Sequence, residues 1–181
     1  MNKKFLTVKD ITLIAVFVAI ITVCSWINIP LGPVPFTLQT FAIFTVAGLL
    51  ETKRGLITIF IYIMLGMIGV PVFTQFKAGL NVLAGPTGGY VIGFIFTVLI
   101  IGTVTKAFSN KTKKLRNVMM ILSMIVGDIA CFGIGTIHFV YMMKVDLTSA
   151  FTICVVPYII PDLVKMVLAT MIIERVKKYI K

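Results

Sequence analysis

The chain has 181 residues, of which 59% are apolar and only 13% charged, with a formal net charge of +11. A water-soluble domain of this length is mostly surface and cannot bury that much apolar area, so the composition excludes a soluble globular protein and makes lipid the natural solvent. A membrane span takes about 20 mainly apolar residues, so six spans use most of the chain and leave no room for a separate soluble domain.

Segment one runs from about Asp10 to Asn28. Its apolar stretch, Ile11 to about Ile29, is too long for a signal peptide and shows no small-residue cleavage site, so it is expected to stay as the first helix. A loop with three prolines and no charge follows, Ile29 to Pro35. Proline lacks an N–H and fixes φ, which makes this loop stiff and non-helical. Segment two, about Thr37 to Leu50, is short, as expected of a helix that starts below the membrane surface or tilts. Glu51 to Arg54 is a charged turn, and segment three covers Gly55 to about Val70. Pro71 opens a stretch to Thr87 that is rich in Gly and Pro, still largely apolar, and carries Gln75, Lys77 and Asn81. Segment four extends from Gly88 to about Phe108, a basic loop occupies Ser109 to Asn117, and segment five runs from Val118 to about Met142. Val145 to Val156 reads as a short helix in the outer interface. Pro157 and Pro161 precede segment six, which ends near Glu174. The expected fold is an all-α membrane protein, one domain over residues 1–181 with six transmembrane helices.

The basic residues sort by side. Lys3, Lys4 and Lys9 precede segment one, Lys53 and Arg54 follow segment two, Lys106, Lys111, Lys113, Lys114 and Arg116 flank the fourth loop, and Arg175, Lys177, Lys178 and Lys181 close the chain. Only Lys77 and Lys144 fall in the alternate loops, and Lys165 lies near or in the membrane. The positive-inside rule then places both termini in the cytoplasm. The basic charge serves topology, with a secondary attraction to anionic lipid, and no nucleic-acid partner is needed to explain it. The same alternation puts the Pro-rich first loop, the Pro71–Thr87 stretch and the Pro157–Pro161 turn on the outer side. Irregular backbone at membrane depth is tolerated where protein or a water-filled cavity covers it, so an outward-facing ligand cavity is expected.

Asp162 and Lys165 are the most informative polar residues. They are three apart, so a helix puts them on one face about one turn from each other. Pro161 suits the first helical position and Asp162 then falls in the first turn, where the helix dipole favours a carboxylate. An ionisable pair in an apolar segment is by default a functional site, against the plainer reading of a self-satisfied packing pair. Asp128 is a second intramembrane acid, read as structural, and His138, near the outer end of segment five, as a packed or interfacial residue. Gln39, behind Pro35-Phe36-Thr37, can hydrogen-bond a ligand or another helix. Asn81 and Gln75 can cap turns or line a cavity. Gly85-Pro86-Thr87-Gly88-Gly89-Tyr90 reads as a tight turn into a helix whose free N–H groups suit an oxyanion. Tyr90 and Trp26 are interfacial aromatics in the plain reading. Ala15 and Ala19 form a small-xxx-small face, suited either to internal packing or to docking another membrane subunit. Cys24, Cys131 and Cys154 lie in apolar runs without metal or redox spacing and read as small buried hydrophobes. Metal-protease and nucleophile-elbow motifs are missing, and the single histidine and few carboxylates leave little for general acid–base work, so an enzyme is not expected. With no ATP-binding loop, energy from ATP must come from partner chains.

Several segments together resemble the biotin-specific S components (the BioY family) of energy-coupling factor transporters. Gly32-Pro33-Val34-Pro35-Phe36-Thr37-Leu38-Gln39-Thr40 is similar to that family's first-loop signature. Gly69-Val70-Pro71-Val72-Phe73, then Gly85 to Tyr90 with Gly93-Phe94, resemble its central one. Pro157-Tyr158-Ile159-Ile160-Pro161-Asp162-Leu163-Val164-Lys165 resembles its last. The order is right and nearly the whole chain is covered. The resemblance implies six helices with an irregular outward-facing lid at Pro71–Thr87, capture of biotin near the outer face, and no further cofactor. It also implies association with a transmembrane coupling subunit and two cytoplasmic ATPase subunits. By motif position, Asn81, Asp162 and Lys165 would contact the biotin ring system, Gln39 and Tyr90 would line the pocket, and Ala15 and Ala19 would dock the coupling subunit. His138 stands where an aromatic such as Trp is expected, and Pro161 where a glycine usually precedes the Asp. The alternatives are the same fold serving another small vitamin and a self-sufficient proton-coupled transporter, for which Asp128, Asp162 and Lys165 would relay protons.

Overall fold

The computed structural model describes residues 6–30 and 32–180. Lys3, Lys4, Leu31 and Lys181, which enter the topology and loop readings, lie outside the described residues. The chain folds mainly into helices: α1 (Val8–Trp26), α2 (Gln39–Met67), α3 (Leu80–Leu83), α4 (Gly88–Ala107), α5 (Lys113–Met143), α6 (Leu147–Cys154) and α7 (Ile159–Ile180). Among the described residues, four stretches are long and apolar enough to cross a membrane: Val8–Trp26, Gly88–Ala107, Lys113–Met143, and Leu147–Tyr179 with its α6 and α7 parts. Large apolar side chains such as Val16, Phe96, Ile129, Val164 and Met171 are exposed around the molecule, as suits a lipid environment.

The short second segment and the charged turn of the sequence reading become one helix with a break. Glu51 has φ 59° and ψ −168° inside α2, while residues 52–54 on its far side are helical. The two arms, 39–50 and 52–67, run back along each other. Gln39 Nε2 donates to the Tyr62 hydroxyl at 2.8 Å, a contact that a straight helix would separate by about 35 Å. Gly102 on α4 sits against Thr52, and a Cβ there would strike the Thr52 backbone, so α4 packs directly on the bend.

The α4–α5 seam explains why small residues recur in these two segments. A Cβ on Gly93 would collide with Cys131, one on Gly127 would crowd Thr97, and one on Gly135 would enter the Tyr90 ring. Backbones that approach this closely gain dispersion contacts that lipid does not offer. Thr97 Oγ1 bridges the seam by donating to the Gly127 carbonyl at 2.9 Å. Elsewhere the hydroxyls of Thr22, Thr45, Thr58 and Thr170 donate to carbonyls four residues back, so these polar groups are satisfied within their own helices.

Other boundaries shift from expectation. α5 starts at Lys113, so half of the basic loop is helical, and Lys113 and Arg116 reach Glu174 at 3.2 and 3.3 Å. That pairing carries α7 past Glu174 to Ile180. The stiff first loop is a hairpin rather than coil: β1 (Asn28–Ile29) pairs antiparallel with β2 (Phe36–Thr37), with Asn28 opposite Thr37. Among the described residues the regular structure is thus helical apart from this two-residue ladder and a single bridge between Phe73 and Lys77. At the other end of α1, Thr7 and Asp10 form a capping box, and the Asp10 carboxylate pairs with Arg54 at 2.9 Å.

Candidate functional site

The irregular segments between the helices converge over one cavity. On the α1 side the Pro71–Thr87 stretch is held where Trp26 Nε1 donates to the Pro71 carbonyl at 2.9 Å, Ser25 Oγ donates to the Val72 carbonyl at 2.7 Å, and the Trp26 ring stacks on Phe76 at 4.7 Å. Trp26 is therefore a clamp on this segment rather than only an interfacial aromatic. The Tyr62 hydroxyl donates to the Val72 carbonyl from below, linking the segment to Gln39. On the opposite side, the Tyr158 hydroxyl donates to the Val34 carbonyl and anchors the first loop.

Beneath these loops lies a cavity of about 240 Å³. Gln39, Tyr90, Asp162 and Lys165 all border it, together with residues of the first loop and with Phe73, Phe94 and Phe132. The structure therefore brings together four of the five substrate residues named from sequence. Asn81 is exposed on α3 and does not border the cavity. Ala15 and Ala19 lie on the exposed face of α1, away from its buried face of Ile14, Phe17, Val18 and Ile21.

The Asp162–Lys165 pair is the polar centre. Their side chains are 2% and 7% exposed, with Lys165 Nζ 2.7 Å from Asp162 Oδ1. Lys165 Nζ also donates to the Thr37 carbonyl at 2.7 Å and to Thr40 Oγ1 at 2.9 Å, and lies 4.2 Å from the centre of the Phe36 ring. The Thr40 hydroxyl in turn donates to Asp162 Oδ1 at 3.0 Å. A buried lysine thus has three oxygen acceptors and an aromatic face, which is what a desolvated ammonium requires. The pair sits in the first turns of α7, which starts at Ile159. Pro161 is hence the third residue and not the first, still within the turn whose N–H groups lack helical partners. Thr40 and Phe36 were not singled out from sequence, although both fall within the first-loop signature; an i, i+3 spacing on α7 says nothing about which residues of the first loop meet it.

The remaining candidates separate. Tyr90 is buried beside Thr136, their hydroxyls 3.4 Å apart. Asp128, read as structural, borders the cavity from α5. His138 does not border it; its Nε2 lies 3.0 Å from the Gly85 carbonyl and ties the glycine-rich turn to α5. That turn offers fewer free donors than expected, because the Gly88 and Tyr90 N–H groups donate to the Gly85 and Thr87 carbonyls.

The match to known proteins runs the length of the chain. Residues 1–181 match the BioY family. The chain belongs to the BioY family. It is 39% identical over 163 residues to the biotin transporter BioY of Thermotoga maritima, covering 90% of this chain and 92% of that one. It is 35% identical over 169 residues to a probable biotin transporter BioY of Pyrococcus horikoshii, covering 93% and 96%. The fold is similar to the crystal structure of the S-component for biotin from an ECF-type ABC transporter, with a TM-score of 0.83 and 30% identity, covering 94% of this chain and 92% of that one. This membership in a family of transporters, together with the apolar helices, makes the BioY chain a membrane transport protein and not an enzyme.

Proposed function

We propose that this chain is the biotin-binding S component of an ECF-type importer, energised by partner ATPases. The observation that carries the reading is the buried Asp162–Lys165 pair beneath the first loop at the cavity, in a chain that matches biotin transporters over nine-tenths of its length. The chemistry fits the ligand. A ureido group offers two N–H donors and one carbonyl acceptor; Asp162 accepts from a donor while Lys165 donates to the carbonyl. The aromatic wall covers the sulfur-containing ring, as in an ordinary small-molecule site with few polar groups in an apolar lining. Gln39 and Tyr90 shape the wall. Asn81 joins the ligand only through movement of the Pro71–Thr87 segment, which then acts as a lid.

In this reading the chain crosses the membrane six times, counting both arms of α2, with both termini in the cytoplasm. A coupling subunit docks on the Ala15–Ala19 face and brings two cytoplasmic ATPases. Titration of the purified, detergent-solubilised chain with biotin, followed by calorimetry, tests the assignment. Tight one-to-one binding is expected. A folded chain that ignores biotin but binds another vitamin in a competition panel would move the assignment to that ligand.

A further inference from the structure

The Asp162–Lys165 pair leaves one acidic group of the cavity unexplained. Asp128, on α5, is 7% exposed and borders the cavity. Among the described residues no donor or cation makes a hydrogen bond or salt bridge to its carboxylate. Asp128 shares the lining of this cavity with Asp162 and Lys165. A buried carboxyl group without a hydrogen-bond partner is costly to a fold, and the cost is offset when a ligand supplies the partner.

Two observations fix where that ligand group sits. On its other side Asp128 borders a crevice between α5, α6 and α7, walled by Ile129, Ile137, Phe151 and Leu163 and almost wholly apolar, which offers its carboxyl little to bond, whereas the ligand cavity is lined by several polar side chains. Asp162 Oδ1 is already occupied by Lys165 and Thr40, and the charge of Lys165 is matched by Asp162. The cavity therefore presents a second carboxyl group that has no hydrogen-bond partner among the described residues. It suits the end of a ligand that is rich in N–H and carries no negative charge.

We propose that Asp128 is a specificity-determining residue that accepts one ureido N–H of biotin while Asp162 accepts the other. This assignment rests on the biotin reading above. The ureido ring enters first, and the carboxylate-bearing chain points to the mouth, where Lys77 is exposed at the rim.

The test is a titration of the full chain in detergent with biotin and with its two mono-N-methyl ureido isomers, for the wild type and for Asp128→Leu. Leucine keeps the branching at Cγ, suits the apolar neighbours and removes the acceptor, while the methyl isomers separate the lost hydrogen bond from the added bulk. Biotin should bind the variant roughly 10- to 100-fold more weakly, the usual loss when a buried donor is left without its acceptor. One methyl isomer should be penalised in the wild type and scarcely further in the variant, because the same hydrogen bond is missing already. If Asp128→Leu fails to fold, Asp128→Asn gives the same cycle with a smaller amplitude. Wild-type affinity in the variant, or equal methyl penalties in both proteins for both isomers, would overturn the assignment. A wild-type chain that does not bind biotin overturns the biotin reading itself, and this assignment with it.

Discussion

Asp162 has more hydrogen-bonding obligations than its size suggests. Its Oδ1 accepts from both Lys165 and Thr40, so removing the carboxylate strands a buried ammonium among the remaining oxygens. Breaking a buried pair in this way costs about 3–5 kcal/mol, whereas replacing both partners by apolar groups costs much less. Asp162→Ala is expected to weaken biotin binding by roughly 100-fold or more in calorimetric titration. Undiminished affinity in a folded variant would remove Asp162 from the site. Gln39 works at one remove: its amide donates to Tyr62, whose hydroxyl holds the Val72 carbonyl, so a pocket residue also sets the position of the roof.

At the scale of elements, the bend in α2 is the strained point. Glu51 occupies a region of φ and ψ that glycine adopts freely and other residues reach at a cost of about 1–3 kcal/mol. Glu51→Gly should therefore stabilise the chain by about 1 kcal/mol after the extra flexibility of glycine in the unfolded state is subtracted. The thermal unfolding midpoint in detergent should rise; a fall would mean that Glu51 makes contacts worth more than the strain. α6 offers a pH test. Asp146 caps it by accepting from the Ser149 N–H at 2.8 Å, and this bond holds its carboxyl below the usual aspartate range. A depressed folded value means that the stabilisation is complete above the ordinary aspartate value of about 3.9 and is lost as pH falls through the lower folded value. Hydrogen exchange should show α6 better protected in the wild type than in Asp146→Ala at neutral pH, with the difference vanishing in strong acid. A difference independent of pH would assign the protection to packing instead.

For the whole molecule, the two ends of the bundle serve different purposes. One end holds the cavity under its loops, while α1 turns Ala15 and Ala19 outward on a face that the chain itself leaves open. Small residues there admit a second helix at close range. Ala15→Trp combined with Ala19→Trp should leave biotin affinity of the isolated chain within about twofold, a change near the noise of a surface substitution. The same variant should abolish co-purification with the coupling subunit and uptake by the assembled importer. Retained uptake would move the docking face elsewhere. Transport by the chain alone, stopped by an uncoupler, would instead favour the proton-coupled alternative.

Composition and residue pattern were enough for the membrane environment, the helical character, the irregular segments between helices and the Asp162–Lys165 pair. Each of these depends on local chemistry: apolar run length, proline and glycine punctuation, or a three-residue spacing within one turn. Contacts between distant segments were not readable in the same way. Helical periodicity does not say that α2 doubles back at Glu51 and sets Gln39 against Tyr62, nor that His138 meets the Gly85 carbonyl instead of the ligand cavity. It does not say how α5 is rotated, and that rotation turns Asp128 to the cavity. Asn81 was named by motif position, yet the four-residue helix α3 leaves it at the surface. The packing of helix against helix, set by glycine-sized gaps on α4 and α5, decided which polar groups face one another.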